Sequence, residues 1–225
     1  SAGRPTDVGD PLNHPVVLAS NYRGEAGDYT RTHGTATWHG LEEAVGALEG
    51  GSAVAFSSGM AAAAAALFTL APRVLVLPTC SYLGVRELVE DLRQQGRIEV
   101  RMVDIADTGA VVAATRGADV VWVESPTNPT LDLADLPAIC AAARAEGAKV
   151  VVDNTFATPI CAQPLSDGAT IVIHSGTKFI GGHSDLLIGL AVTADLEVHS
   201  RLLHTRLVNG STPRSLEAFL ALRGL

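Results

Sequence analysis

Between residues 73 and 193 the chain repeatedly places a short run of Val, Ile and Leu between longer segments: RVLVLP (73–78), IEVRMVD (98–104), DVVWVESP (119–126), KVVVDN (149–154), TIVIHS (170–175) and LLIGLAVT (186–193). Such runs are apolar at successive positions, so both faces of each strand need covering, as in a parallel sheet flanked by helices. The intervening segments can supply that cover. LEEAVGALEGG (41–51) sets Leu41, Val45 and Leu48 at helical spacing and stops at Gly50-Gly51. AAAAAALFTL (61–70), GVRELVEDLRQQG (84–96) and LADLPAICAAARAEG (133–147) also read as helices, while SAVAF (52–56) adds a short strand. The alternation predicts an α/β fold with a mainly parallel sheet and helices on both faces. Residues 1 to 37, rich in Gly, Pro, Thr and Asp, lack this periodicity and read as an extended arm or a set of loops.

The length of 225 residues suits one large domain, or a domain and part of another. With 47% hydrophobic and 18% charged residues the chain is globular and apolar enough to suggest oligomer interfaces. A net charge of −8 without a basic stripe argues against nucleic acid as a partner. Cys80, Cys140 and Cys161 are widely spaced, which suggests neither a disulfide framework nor a zinc site. They read as small core residues in a reducing cytoplasm, and no metal is expected. The N-terminus has no apolar signal core, and GMAAAAAALFTLAP (59–72) is too short and alanine-rich to span a bilayer.

In sheets of this kind ligands lie at the carboxyl ends of the strands. SSGM (57–60) precedes the alanine-rich helix and puts the N–H groups of Gly59 and Met60 at its N-terminus, an anion site or a plain cap. VESPTNP sets Asn128 between prolines after a strand, where the amide is either held for a ligand or part of a turn. Asp153 ends the apolar run VVVD, where a carboxylate is costly unless a cation or several donors meet it; the alternative is helix capping. Only two residues are lysine, Lys149 and Lys178. Lys149 reads as a solvated cation after a helix. Lys178 follows IHSGT beside Ser175 and Thr177, and a desolvated lysine can attack a carbonyl to form a Schiff base. An anion pocket, a buried carboxylate and an activated lysine are together what pyridoxal phosphate needs. His183 and Asp185 read as fixing the loop after Lys178, and His199, His204 and Arg206 as a solvated helix face.

VWVESPTNP, VVVDNTFATP and HSGTKFIGGHSD, with YTR (29–31), LEGG (48–51) and SSGMAA (57–62), closely resemble the Cys/Met metabolism family of pyridoxal phosphate enzymes across nearly the whole chain. That family includes cystathionine γ-synthases, cystathionine γ- and β-lyases and methionine γ-lyases. The resemblance implies the large cofactor domain of fold-type I enzymes over residues 38–225, with residues 1–37 as an arm reaching the neighbouring subunit. It implies that Lys178 holds the cofactor and then moves protons at the substrate, that Asp153 pairs with the ring nitrogen, and that Asn128 lies near the phenolic oxygen. Gly59, Met60, Ser175 and Thr177 would hold the phosphate. Tyr82 would stack on the ring and assist acid–base steps, while Tyr29 and Arg31 would reach the phosphate of the neighbouring subunit. It further implies a small amino-acid substrate, elimination or replacement at Cβ or Cγ, and a dimer sharing active sites, assembled into a tetramer.

The chain departs from the family at HGTAT (33–37), where relatives carry Asn-Pro-Thr, and at YLG, where Gly-Gly is usual. Methionine γ-lyases place a cysteine where Gly84 stands. A smaller C-terminal domain, with the arginine that binds the substrate's carboxylate, is expected beyond Leu225. An aminotransferase of the same fold, or a non-catalytic cofactor-binding fragment, are the alternative readings.

Overall fold

The computed structural model describes residues 2–24 and 29–225. Its helices and strands follow in the order α1 (Thr30–His33), α2 (Ala36–Glu49), β1 (Ser52–Phe56), α3 (Gly59–Leu70), β2 (Val74–Pro78), α4 (Leu83–Gln94), β3 (Glu99–Val103), α5 (Thr108–Ala114) and β4 (Val120–Glu124). There follow α6 (Leu136–Ala145), β5 (Lys149–Asp153), α7 (Thr158–Cys161), α8 (Pro164–Asp167), β6 (Ile171–Ser175), β7 (Gly189–Thr193), α9 (Leu196–Asn209) and α10 (Ser215–Gly224).

The strands form one seven-stranded sheet in the order β1-β7-β6-β5-β4-β2-β3. Strands β2 to β6 pair in parallel. β7 is antiparallel to both β6 and β1, so it alone runs against the rest, and β1 ends on the same edge as β6. Successive side chains of a strand point to opposite faces. Val121 and Val123 accordingly join a core under α2, α6 and α10, while Trp122 joins a second core under α3, α4 and α9. The apolar runs are therefore covered on both sides, as their composition requires.

Several helix ends follow local chemistry. Ser58 caps α3 by accepting the N–H of Ala61 at 3.1 Å, and Asp135 caps α6 through Ala138. α2 closes at Gly50, whose φ of 79° suits a residue without Cβ. The arm expected over residues 1–37 includes residues 1 and 25–28, which lie outside the described residues. Its end is already helical, because α2 starts at Ala36. Thr37 is fully buried there and fastens the preceding segment, donating to the carbonyl of Pro15 and accepting the N–H of Val17.

Two sequence expectations are corrected. Arg206 is 3% exposed rather than part of a solvated face. It packs over the Trp38 ring and pairs with Glu42 at 2.6 Å, so its charge is neutralised inside the protein. His199 is half-buried, and only His204 of the three is exposed. Of the cysteines, Cys140 is a core residue, Cys80 is half-buried and Cys161 is exposed at the end of α7; all are free thiols.

Candidate active site

A cavity of about 270 Å³ opens where β1, β4, β5 and β6 end. Ser58, Gly59 and Met60 close one side of it. The Ser58 hydroxyl and carbonyl take the N–H groups of Ala61 and Ala62, which leaves those of Gly59 and Met60 without an intrahelical acceptor. Gly59 is required by close approach, since a Cβ there would lie 2.8 Å from the Cβ of Ser175. The β6 end supplies Ser175, Thr177 and Lys178 to the same space. Thr177 is held by Ile188, accepting its N–H at 3.1 Å. An anion there would meet helix-terminal N–H groups and hydroxyls together.

The opposite wall carries acids. β4 and β5 pair so that Glu124 stands beside Asp153. Asp153 Oδ1 accepts the Thr155 N–H at 3.0 Å and its hydroxyl at 2.5 Å, and Thr155 in turn accepts the Ser175 N–H at 2.8 Å. One threonine thus links the carboxylate to the β6 strand end. Burial raises the Asp153 carboxyl above the ordinary range, against the Thr155 hydrogen bonds and the nearby His174. Burial likewise pushes Glu124 up to about 7, opposed by the N–H groups of Tyr82 and Asn128 and reinforced by the charge of Asp153. Two adjoining acids with raised pKa values suit a ligand that brings a proton or positive charge.

Asn128, Tyr82 and Lys178 complete the cavity, with Tyr82 46% exposed and Lys178 exposed at the rim. The desolvated lysine expected from the sequence is therefore not seen in the single chain. Its backbone is fixed, donating to Ser175 O at 3.0 Å. Tyr29 and Arg31 are not brought here. They line a separate cavity with Trp38 and Arg214, where Arg31 donates to the Leu207 carbonyl at 2.9 Å and lies 5.4 Å from the Tyr29 ring centre. His183 bonds the Gly181 carbonyl at 2.7 Å, in keeping with a loop-fixing role, and Asp185 lines a shallow neighbouring hollow.

Sequence reasoning missed Glu124 and Thr155. Glu124 had a signal, because it ends an apolar run as Asp153 does. A third group has no local signal: behind the site, buried Glu49 accepts from Asn154 Nδ2 at 2.9 Å and lies 2.5 Å from His174 Nε2. No set of three or more His, Cys, Asp or Glu among the described residues could hold a metal ion, and no helix among them is long and apolar enough to cross a membrane.

The arrangement can hold an anion, a protonated ring nitrogen and an aldehyde within one cavity. The profile of the family described as "Cys/Met metabolism PLP-dependent enzyme" matches residues 13–225. Cystathionine gamma-synthase of Mycobacterium tuberculosis is 40% identical over 99% of this chain and 60% of its own length. Cystathionine beta-lyase MetC of Bacillus subtilis is 38% identical over 97% of this chain and 57% of its own length. The crystal structure of metB from Corynebacterium glutamicum superposes with a TM-score of 0.93 at 38% identity, covering all of this chain and 61% of that one. The chain thus spans about 60% of the length of these relatives.

Proposed function

The chain belongs to the Cys/Met metabolism PLP-dependent enzymes, and from that premise we propose that it is the cofactor-binding part of an enzyme that eliminates or replaces a substituent at Cβ or Cγ of a sulfur amino acid. The observation that carries the reading is the convergence of Asp153, the α3 N-terminus and Lys178 on one cavity at the strand ends. When bound, pyridoxal phosphate supplies an electron sink that acidifies the amino acid's Cα–H.

Lys178 would hold the cofactor's aldehyde carbon, the role for which an amine at the rim of an anion pocket is suited. Once released to substrate, its Nζ would move a proton at the substrate carbons. Asp153, kept in place by Thr155, would keep the ring nitrogen protonated, and the added positive charge would offset the burial of the acid. Gly59, Met60, Ser175 and Thr177 would cradle the phosphate. Tyr82 would cover the ring and assist proton transfer, and Asn128 would face the phenolic oxygen. Residues 1–37 would form an arm, with Tyr29 and Arg31 meeting the phosphate of a neighbouring subunit in a dimer that assembles as a tetramer. Residues 38–225 would form the cofactor domain, with the arginine for the substrate's carboxylate in a continuing C-terminal domain. The free thiols are in keeping with a reducing cytoplasm.

Borohydride reduction of the loaded enzyme followed by peptide mapping tests the reading. The expected product is a pyridoxyl group on Lys178. A label on Lys149, or none, overturns the assignment.

A further inference from the structure

Glu124 has no part in the roles above, yet it is 5% exposed and lines the same cavity. Its two oxygens are used separately. Oε2 accepts the N–H of Tyr82 at 2.7 Å, and Oε1 accepts the N–H of Asn128 at 2.7 Å. These donors belong to different segments, one entering α4 after β2 and the other in the loop after β4. Tyr82 stands at the N-cap of α4 and makes no capping bond with its own side chain. The bond to Glu124 ties the start of that helix to the sheet. A single carboxylate rooted in the sheet therefore sets the places of both the aromatic and the amide wall.

We propose that Glu124 is a positioning residue, which clamps the backbones of Tyr82 and Asn128 so that ring and amide stand at fixed places around the bound cofactor. The inference rests on the functional reading above. Such a clamp needs two acceptors on one side chain. Glu124→Gln keeps the shape but turns an NH2 donor toward one of the two N–H groups. Glu124→Asp keeps both acceptors and withdraws them by one methylene.

The test uses the intact enzyme and pyridoxal phosphate itself. Three quantities are measured for each variant: the Kd for the cofactor, the visible circular dichroism of the bound cofactor, which reports how rigidly its ring is held, and the melting temperature of the cofactor-free protein. For Glu124→Gln at pH 8, where Glu124 is ionised, Kd should rise about tenfold or more, as expected for replacing a charged acceptor by a donor. The dichroic band should shrink by more than any fall in cofactor-free melting accounts for, and Glu124→Asp should recover part of the band. Unchanged Kd and dichroism in Glu124→Gln would overturn the assignment of Glu124 alone. So would a fall of cofactor-free melting in both variants in step with affinity, which would mark a purely structural role. Failure of the unsubstituted enzyme to take up pyridoxal phosphate would overturn the functional reading, and this inference with it.

Discussion

Asp153 and Glu124 end adjoining strands at one level of the sheet, where like charges repel and burial disfavours both ionised forms. An acid whose folded pKa is raised holds its proton more tightly folded than unfolded. Its contribution to stability is full below the unfolded value and is lost as pH rises through the folded one. For Glu124 that window runs from the ordinary 4.5 to about 7. The loss is at most about 3 kcal/mol by pH 8. Asp153 acts in the same direction. Glu42 has the opposite sign: His39 and Arg206 lower its pKa despite burial, so its contribution is present above the unfolded value and lost on acidification. The groups facing Glu124 are Asp153 from β5 and Arg86 from α4, with Lys178 lining the same cavity. Thermal melts of the cofactor-free enzyme from pH 5 to pH 8 should show Glu124→Gln gaining on the unsubstituted protein as pH rises. A difference that stays flat would show that Glu124 titrates alike in both states.

At the scale of elements, β1 lies at the edge of the sheet, and the outer groups of its backbone need partners. Side chains supply them. Glu42 on α2 accepts the Ala55 N–H at 2.9 Å, and Arg206 on α9 donates to the Ala55 carbonyl at 3.0 Å. The pair satisfies the strand and neutralises itself, which explains how an arginine joins the face of α9 that buries Val198 and Leu202. Removing one partner strands the other charge, so Arg206→Ala should destabilise by about 3–5 kcal/mol in denaturant unfolding. The double variant with Glu42→Ala should cost clearly less than the sum of the two single changes. Strict additivity would mean that the pair does not act as a unit.

For the whole molecule, Tyr29 and Arg31 lie in a cavity separate from that of Lys178, although both sets would serve phosphate. A second subunit would resolve this, with each arm completing its neighbour's site. Phe179, Leu187 and Ile160, each more than 60% exposed, show that apolar surface is available for such contacts. Mixing Arg31→Ala with Lys178→Ala chains of the intact enzyme should restore activity, because a hybrid dimer retains one site with both residues. Random pairing predicts about a quarter of the unsubstituted activity. Demonstrated hybrids without activity would exclude the shared site.

The strands, and the reactive residues that end them, could be read from local pattern alone. An unbroken Val/Ile run declares a strand covered on both faces, and Asp153, Asn128 and Lys178 stand out because each is a polar group directly after such a run, although Lys178 proves to be exposed at the rim. Spacing also marked α3 and the N–H groups at its start. Strand order was different, because periodicity does not specify which strands become neighbours. Because β7 lies between β1 and β6 and runs antiparallel to both, those two strands end at the same edge of the sheet, where Gly59 meets Ser175. The buried polar pairs were equally hidden. Arg206 meets Glu42 across 164 residues and His174 meets Glu49 across 125. A charge looks solvent-facing in sequence until its distant partner is known, since the pairing that lets it be buried exists only once the chain has folded.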